Sequence, residues 1–226
     1  MAVSELRRVR VWDLPTRLFH WALAVCALGL FVTGKMGGEA MAWHARLGYA
    51  VATLLLFRVA WGVVGGHWSR FATFTHPPRV VLDYLRGRSA AELSIGHSPL
   101  ASASVYALLG FLGAQVGTGL FSADLEEFAG PLNVLVSNAT ARLLTAYHKN
   151  IGEPALVALV VLHIAAIAYY HLRRGQDLIG PMVHGDKTLA VAVPESRDDW
   201  RSRLRAAVLL IIAACAVVGL VSLGGG

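Results

Sequence analysis

The chain alternates between long apolar runs and shorter segments rich in charged residues, glycine and proline. A helix needs about 20 apolar residues to cross the hydrocarbon core of a bilayer. Backbone polar groups in lipid must be satisfied within the segment or in a closed barrel, and the alternating pattern of barrel strands is absent from this sequence. The pattern therefore predicts an all-α protein without an internal repeat, with transmembrane helices over residues 18–33, 44–64, 100–121, 143–172 and 204–223.

The composition also favours an integral membrane protein. Hydrophobic residues make up 56% of the 226 residues and charged residues only 15%, whereas soluble domains carry about 25% charged residues. The mean hydropathy is +0.56 and the isoelectric point is about 9.7. A basic balance can indicate nucleic-acid binding, but in a membrane protein it usually marks cytoplasmic loops. We therefore expect the bilayer, and no nucleic acid, as a partner.

Lysine and arginine are distributed unequally between the two predicted faces of the membrane. The N-terminal segment and the loops over residues 66–98 and 173–205 carry 15 of the 20 basic residues. The opposite face carries four, and Arg58 lies within the second span. Because basic loops stay in the cytoplasm, the sequence predicts a cytoplasmic N-terminus and a periplasmic C-terminus.

Four histidines fall at two depths of these spans. His20 and His163 lie toward the cytoplasmic side, whereas His44 and His148 lie toward the outer side. His148 and His163 are 15 residues apart, which on an ideal helix gives a rise of about 22 Å and an offset of about 60° from a common face. An imidazole among apolar residues is costly, so His163 indicates a functional site, with a hydrogen bond to a neighbouring helix as the alternative. His20 and His44, taken singly, are also compatible with interfacial positions.

Paired histidines at two depths favour haem over other sites. Zinc usually takes four ligands, often thiolate or carboxylate, and proton relays usually place carboxylates in the membrane; the inner level lacks both. Haem iron accepts two axial imidazoles, and cationic side chains can bind its propionates. No CxxCH motif is present, so any haem would be non-covalent haem b. Candidate partners of the propionates are Arg17, Arg46 and Arg58.

Several motifs resemble those of one family of membrane cytochromes. They are PTRLFHWALAV (15–25), LFVTG (30–34), WHARLGY (43–49), YHKNIGE (147–153) and LVVLHIAAIAYY (159–170). Over roughly residues 8–190 the chain resembles the bacterial cytochrome b561 family, which includes the b-type cytochrome subunit of nickel–iron hydrogenases.

The resemblance implies a bacterial inner-membrane protein whose four-helix core holds two b haems. It implies axial ligands at His20, His44, His148 and His163, and electron exchange between quinone and a partner. We accordingly expect a di-haem core over residues 1–175, a cytoplasmic connection over 176–203 and a fifth transmembrane helix over 204–226.

The fourth span departs from the family pattern. Its two histidines are 15 residues apart, where the family more often has 14. Pro154 lies between them, where it removes a helix hydrogen bond. A kink or a π-bulge would absorb the extra residue. The fifth span is a second departure, because the smallest members of the family lack it.

We expect a di-haem b-type cytochrome that carries electrons between quinone and a redox partner protein, such as a periplasmic cytochrome or a dehydrogenase or hydrogenase subunit. Bis-histidine iron has no open position, which favours electron transfer. Two alternatives stay open: a superoxide oxidase that reduces quinone, and a non-haem anchor or transporter. An anion-binding funnel would be basic, whereas the outer loop over 122–141 carries Asp124, Glu126 and Glu127. That loop predicts docking of a basic redox protein.

Other polar and aromatic positions have simpler interpretations. Gln115 and Thr118 predict interhelical hydrogen bonds, with a quinone contact as the alternative. Ser98 and Pro99 predict the N-cap and first residue of the third span. His171 is assigned an interfacial position, with a substitute ligand as the alternative. The other histidines are assigned structural or surface positions; they are His67, His76, His97 and His184. The tryptophans near span ends read mostly as interface anchors; they are Trp12, Trp21, Trp43, Trp61 and Trp68.

Overall fold

Helices dominate the part of the chain that the structure describes. The structure is a computed structural model that describes residues 6–88, 95–124 and 128–224. A π-helix, His148–Gly152, joins the sixth helix to the seventh. The helices are α1 (Leu14–Met36), α2 (Ala40–Val64), α3 (Phe71–Phe74), α4 (Pro78–Leu85), α5 (Pro99–Phe121), α6 (Asn138–Tyr147), α7 (Glu153–Arg174), α8 (Ile179–His184) and α9 (Trp200–Ser222).

Five helical stretches among the described residues are long and apolar enough to cross a membrane. They are α1, α2, α5, the continuous stretch Asn138–Arg174 and α9, so the five predicted spans are confirmed. Three of them begin four residues earlier than hydropathy predicts. For α1 and α9 the reason is an aspartate cap: the Asp13 carboxylate accepts the Thr16 N–H at 2.8 Å, and Asp199 accepts the Ser202 N–H at 2.7 Å. Such caps satisfy first-turn donors before the apolar run begins.

Large apolar side chains stay exposed along the spans. Val25 and Leu28 of α1 are 70% and 66% exposed, and Ile211 and Val218 of α9 are 62% and 69% exposed. An apolar surface of this extent is unfavourable in water, whereas lipid solvates it without cost. The chain is therefore a multi-pass membrane protein.

The chain folds into two compact units, which are described separately. The first comprises Met1–Phe19, Arg58–Tyr106 and Leu162–Ala207, and the second comprises His20–Phe57, Ala107–Val161 and Val208–Gly226.

The first unit contains a strand pair that the sequence pattern did not predict. Strand β1 (Arg7–Arg10) pairs antiparallel with β4 (Asp186–Leu189), with Arg10 opposite Asp186. Ser196 extends this contact, since its N–H donates to the Arg10 carbonyl and its hydroxyl donates to the Val11 carbonyl. The predicted connection between the fourth and fifth spans is thus folded against the N-terminal segment.

Asp198 lies within ion-pair distance of three arginines of this unit. Its carboxylate lies 2.5 Å from Arg10 Nη1, 3.0 Å from Arg203 Nε and 3.8 Å from Arg17 Nη2. Burial alone would raise the pKa of Asp198, but hydrogen bonds from Arg203, the Leu14 N–H and Arg10 bring that pKa below its ordinary value. Asp198 is therefore a carboxylate at neutral pH and joins the N-terminal segment to the start of α9.

Asp13 forms a second, fully buried polar cluster. Its carboxylate accepts hydrogen bonds from the Ser69 hydroxyl at 2.8 Å and the Trp61 indole at 3.2 Å, besides its cap on α1. Trp61 is only 2% exposed and Trp12 only 5%. The interpretation of these two tryptophans as interface anchors was wrong, because both side chains are buried inside the first unit; Trp21 and Trp43, at 44% and 59%, are exposed.

The second unit contains a short ribbon, β2 (Ala123–Asp124) paired with β3 (Phe128–Ala129). After the ribbon, Ser137 caps α6 by accepting the Thr140 N–H at 3.2 Å. Between α1 and α2 the chain reverses over Gly37 and Gly38, whose φ angles of 64° and 52° favour glycine. The tight reversal places α1 and α2 side by side, which positions His44 against α1.

Candidate haem-binding site

His44 and His148 face each other in the second unit. His44 lies one turn inside α2, and His148 is the first residue of the π-helix. Their ring centroids are 6.2 Å apart, the rings are inclined at 77°, and both residues are half-buried. This pairing of the two outer histidines is the one expected from their similar depth.

The ring separation can be compared with that of two imidazoles on one metal. A metal–imidazole bond is about 2 Å, and the bonding nitrogen lies about 1.1 Å from the ring centre. Two axial imidazoles on one iron should therefore have centroids about 6 Å apart. The observed 6.2 Å matches this value, so the spacing of the two rings is compatible with two axial ligands of one iron.

Backbone carbonyls orient both imidazoles in the same way. His44 Nδ1 lies 3.0 Å from the Leu30 carbonyl oxygen of α1, and His148 Nδ1 lies 2.9 Å from the Gln115 carbonyl oxygen of α5. A carbonyl oxygen only accepts, so Nδ1 must carry the proton in each ring. Nε2 is then left with its lone pair, as iron ligation requires, and such a second hydrogen bond is the usual partner of a metal-ligating histidine.

A threonine and the glycine that follows it also contact each ring. We call the carbonyl, the threonine and the glycine around one histidine ring a cradle. Thr33 Oγ1 lies 3.3 Å from His44 Nδ1, and Thr118 Oγ1 lies 3.3 Å from His148 Nδ1. The next residue is a glycine in both helices, and a Cβ atom would approach the ring: 3.2 Å from His44 Cε1 at Gly34, and 2.9 Å from His148 Cε1 at Gly119. Each ring therefore packs against a glycine, where the absence of a side chain leaves room for it.

The two cradles form a local repeat that sequence reasoning missed. In both helices the order is the residue whose carbonyl accepts from the ring, two intervening residues, threonine and glycine: Leu30 to Gly34 in α1 and Gln115 to Gly119 in α5. The sequence signal is only the dipeptide Thr-Gly at the outer end of two spans, which is too short to register as an internal repeat.

Gln115 links α5 to the π-helix. Its side-chain amide donates to the His148 carbonyl at 2.9 Å, so the predicted interhelical hydrogen bond is confirmed. A Cβ atom at Gly152 would collide with the Gln115 side chain, and Gly152 itself is buried. Of the two alternatives predicted for this stretch, a kink or a π-bulge, the structure has the π-bulge, over His148–Gly152.

Charged residues near this pair are used within the unit. Lys35 at the end of α1 forms an ion pair with Glu153 at the start of α7. Arg46, a predicted propionate partner, is exposed, and its guanidinium lies 4.9 Å from the centre of the Trp43 ring.

The inner histidines are half-buried and belong to different units. His20 of the second unit makes an edge contact with Trp21, with ring centroids 5.3 Å apart, and His163 of the first unit lies in α7. Pairing of His20 with His163 stays a prediction.

Arg58 and Arg17 each have one buried guanidinium nitrogen without a hydrogen-bond partner among the described residues. Arg58 is 3% exposed and lies 4.8 Å from the centre of the Phe71 ring, and its buried Nη1 has no hydrogen-bond partner among the described residues. A buried donor without a partner is costly, and an anionic group would satisfy it. Arg17 donates to the Val183 carbonyl at 2.6 Å through Nη1, with Asp198 nearby, but its buried Nε also has no hydrogen-bond partner among the described residues.

The structure tests some of the remaining sequence predictions, whereas others concern residues that it does not describe. Ser98 caps α5 by accepting the Ala101 N–H at 3.2 Å, as predicted. His97 has a structural place, with ring centroids 4.7 Å from Trp12 and 4.4 Å from Phe74. No group of three or more His, Cys, Asp or Glu residues suited to a metal ion is found among the described residues. Of the acidic loop, Glu126, Glu127 and the Asp124 side chain lie outside them.

Comparison with known proteins identifies similar chains. The family described as prokaryotic cytochrome b561 matches residues 11–185. A probable Ni/Fe-hydrogenase B-type cytochrome subunit of Bradyrhizobium diazoefficiens is 26% identical over 215 residues, covering 79% of this chain and 85% of that protein. Proteins with corresponding names are 29% identical in Azotobacter chroococcum (81% of this chain, 90% of that protein) and 24% identical in Escherichia coli K12 (77% and 88%). No solved structure has a significant match.

Proposed function

This chain belongs to the prokaryotic cytochrome b561 family, and we propose that it holds two haem b groups by bis-histidine ligation and passes electrons between quinone and a redox partner protein. A b-type cytochrome of the membrane transfers electrons through haem b. His44 and His148 would hold the outer haem, and His20 and His163 the inner one.

The repeated cradle around His44 and His148 is the observation that carries this proposal. Haem b supplies reversible one-electron chemistry when bound. The chain itself keeps both Nδ1 atoms protonated through the Leu30 and Gln115 carbonyls and leaves both Nε2 atoms available. Because each ring is fixed by a carbonyl, a threonine and a glycine, the chain would hold both ligands in place in either oxidation state of a bound haem.

The guanidinium of Arg58 in α2 is a candidate partner for the propionate groups of a haem. Its buried Nη1 lacks a partner among the described residues, and a haem propionate would supply two acceptor oxygens to a guanidinium in the paired geometry that arginine prefers. Arg17 is a second candidate for this role, since its buried Nε also lacks a partner among the described residues, although its other nitrogens are held by Val183 and Asp198. Arg46 is a weaker candidate, because it is exposed and stacks on Trp43.

The histidine assignment is tested by haem content. Visible spectra of the purified protein should give about two haems per chain. His44→Ala and His148→Ala should each lose the same haem, and the double variant should lose no more, because one iron needs both rings. His20→Ala should remove the other component.

His171→Ala is the matched control. His171 lies in α7 as His163 does, but it is exposed, so both haems should be retained. Loss of two different spectral components from His44→Ala and His148→Ala would contradict the pairing, and full haem content in both variants would contradict the ligation.

The proposed partner is a Ni/Fe hydrogenase, since the relatives at 24–29% identity carry the name of its B-type cytochrome subunit. The test measures the rate at which the haem of this chain is reduced when the hydrogenase of the same organism is supplied with hydrogen as the electron donor. Charge reversal of the acidic loop should slow this reduction if a basic surface docks there. The variant combines Asp124→Lys, Glu126→Lys and Glu127→Lys. An unchanged rate and salt dependence would exclude the loop as the docking surface.

A further inference from the structure

A cavity of about 340 Å³ lies in the first unit where α2 ends and α9 begins. One wall consists of the last turn of α2 and the residues after it, with Trp61, His67 and Arg70. The opposite wall consists of the segment before α9 and its first turns, with Arg197 and Arg205. Glu195 also lines the cavity, so three arginines face one carboxylate and the lining is positively charged.

The three arginines of this cavity are free to bind an anion. Arg70, Arg197 and Arg205 are exposed, and among the described residues their guanidinium groups have no ion pair or hydrogen bond. Other arginines of the unit are used differently, because Arg10 and Arg203 both bind Asp198. Free guanidinium forks converging on one cavity match the oxygens of a phosphate group.

His67 adds a neutral polar group to the cavity. Burial, and secondarily the charge of Arg70, lower the pKa of His67 below its ordinary value. At neutral pH its ring is therefore uncharged and can hydrogen-bond an ester or hydroxyl oxygen. The neighbouring Trp61 and Val64 provide apolar surface beside these polar groups. A lining of this kind suits an amphiphile better than a fully hydrated ion.

The cavity lies at the ends of two membrane-spanning helices, which is where the headgroups of a bilayer meet such helices. Its walls are the end of one membrane-spanning helix, at Val64, and the start of another, at Trp200. Trp200 is 68% exposed, and the Arg201 guanidinium lies 5.6 Å from the centre of its ring, an arrangement typical of the membrane–water interface. Basic pockets at such positions bind anionic lipid headgroups.

We propose that this cavity binds the phosphate-bearing headgroup of an anionic phospholipid through Arg70, Arg197 and Arg205. Arg197 and Arg205 lie beyond residues 11–185, which the family comparison covers, and no ligand of the proposed haems lines the cavity. The site is therefore separate from electron transfer and can be tested apart from it.

The test uses the full-length protein in nanodiscs and native mass spectrometry of the lipids it retains. The wild-type protein should retain phosphatidylglycerol over phosphatidylcholine. Arg70→Gln, Arg197→Gln and Arg205→Gln combined should lower that preference roughly tenfold to a hundredfold, since each arginine near a charged membrane surface contributes appreciably to anionic-lipid binding. Arg197→Gln alone, in the segment before α9, should produce part of the effect without altering a helix.

The matched control removes the same charge from exposed arginines that do not line the cavity: Arg79→Gln, Arg86→Gln and Arg173→Gln. It should change the preference less than about twofold if the cavity rather than net charge selects the lipid. Equal losses in both triple variants would overturn the proposal. Displacement of phosphatidylglycerol by millimolar inorganic phosphate alone would also overturn it, because the site would then bind a free anion. Equal melting temperatures in phosphatidylcholine establish that the variants are folded.

Discussion

Gly119→Ala should weaken binding of the haem proposed between His44 and His148. The new Cβ atom would lie 2.9 Å from His148 Cε1 and 3.3 Å from Nδ1, where ordinary contact begins at 3.4 Å. The ring must therefore move by about 0.5 Å or rotate away from its preferred angle, at about 0.5–1.5 kcal/mol. The 2.9 Å hydrogen bond from Nδ1 to the Gln115 carbonyl would weaken, at a further 0.5–1.5 kcal/mol or so.

The expected total is about 1–3 kcal/mol, which corresponds to a roughly 5- to 150-fold loss of haem affinity. The assay is haem titration into the haem-depleted protein, followed by its visible absorbance, with the midpoint potential of the bound haem as a second readout. Gly34→Ala should have a smaller effect, because its Cβ atom would lie 3.2 Å from His44 Cε1.

Gly110→Ala is the control on the same helix. Gly110 lies nine residues before Gly119, which is about 180° around an α-helix. It is exposed, and a Cβ atom there would meet nothing within 4 Å. Its haem affinity should equal that of the wild-type protein. If Gly119→Ala bound haem as tightly as Gly110→Ala, the cradle would not constrain the ligand, and the reasoning from the close contact would be refuted.

Three further predictions concern other parts of the molecule. The pKa of Asp198 is lower in the folded protein than in the unfolded chain, where it is about 3.9. The stabilising contribution of Asp198 is therefore present above about pH 3.9 and is lost as the pH falls through the lower pKa of the folded state. The difference in melting temperature between wild type and Asp198→Asn should shrink in acid, and a constant difference would contradict this. Acid–acetone should extract all haem, since the sequence has no CxxCH motif; haem on the denatured chain would contradict haem b. A periplasmic reporter should be active at the C-terminus and inactive near Arg88, and the reverse would overturn the orientation.

Hydropathy predicted the membrane spans because it is a local property that adds along the chain. Runs of about 20 apolar residues can only be helices in lipid, and the five spans followed directly from them. Local signals also predicted the Ser98 cap and the π-bulge after His148. The sequence also predicts a depth for each histidine, since depth follows from the count of residues along one helix.

The contacts between segments distant in sequence were decided by tertiary structure alone. The cradles depend on which carbonyl of α1 or α5 meets a ring from another helix, and the β1–β4 pair joins residues more than 170 positions apart. Trp61 is buried, and its indole donates to the carboxylate of Asp13, which lies 48 positions earlier in the chain. Apolar patterning specifies which residues leave water but not which partners they find, because helix rotation and register are set by packing between whole segments.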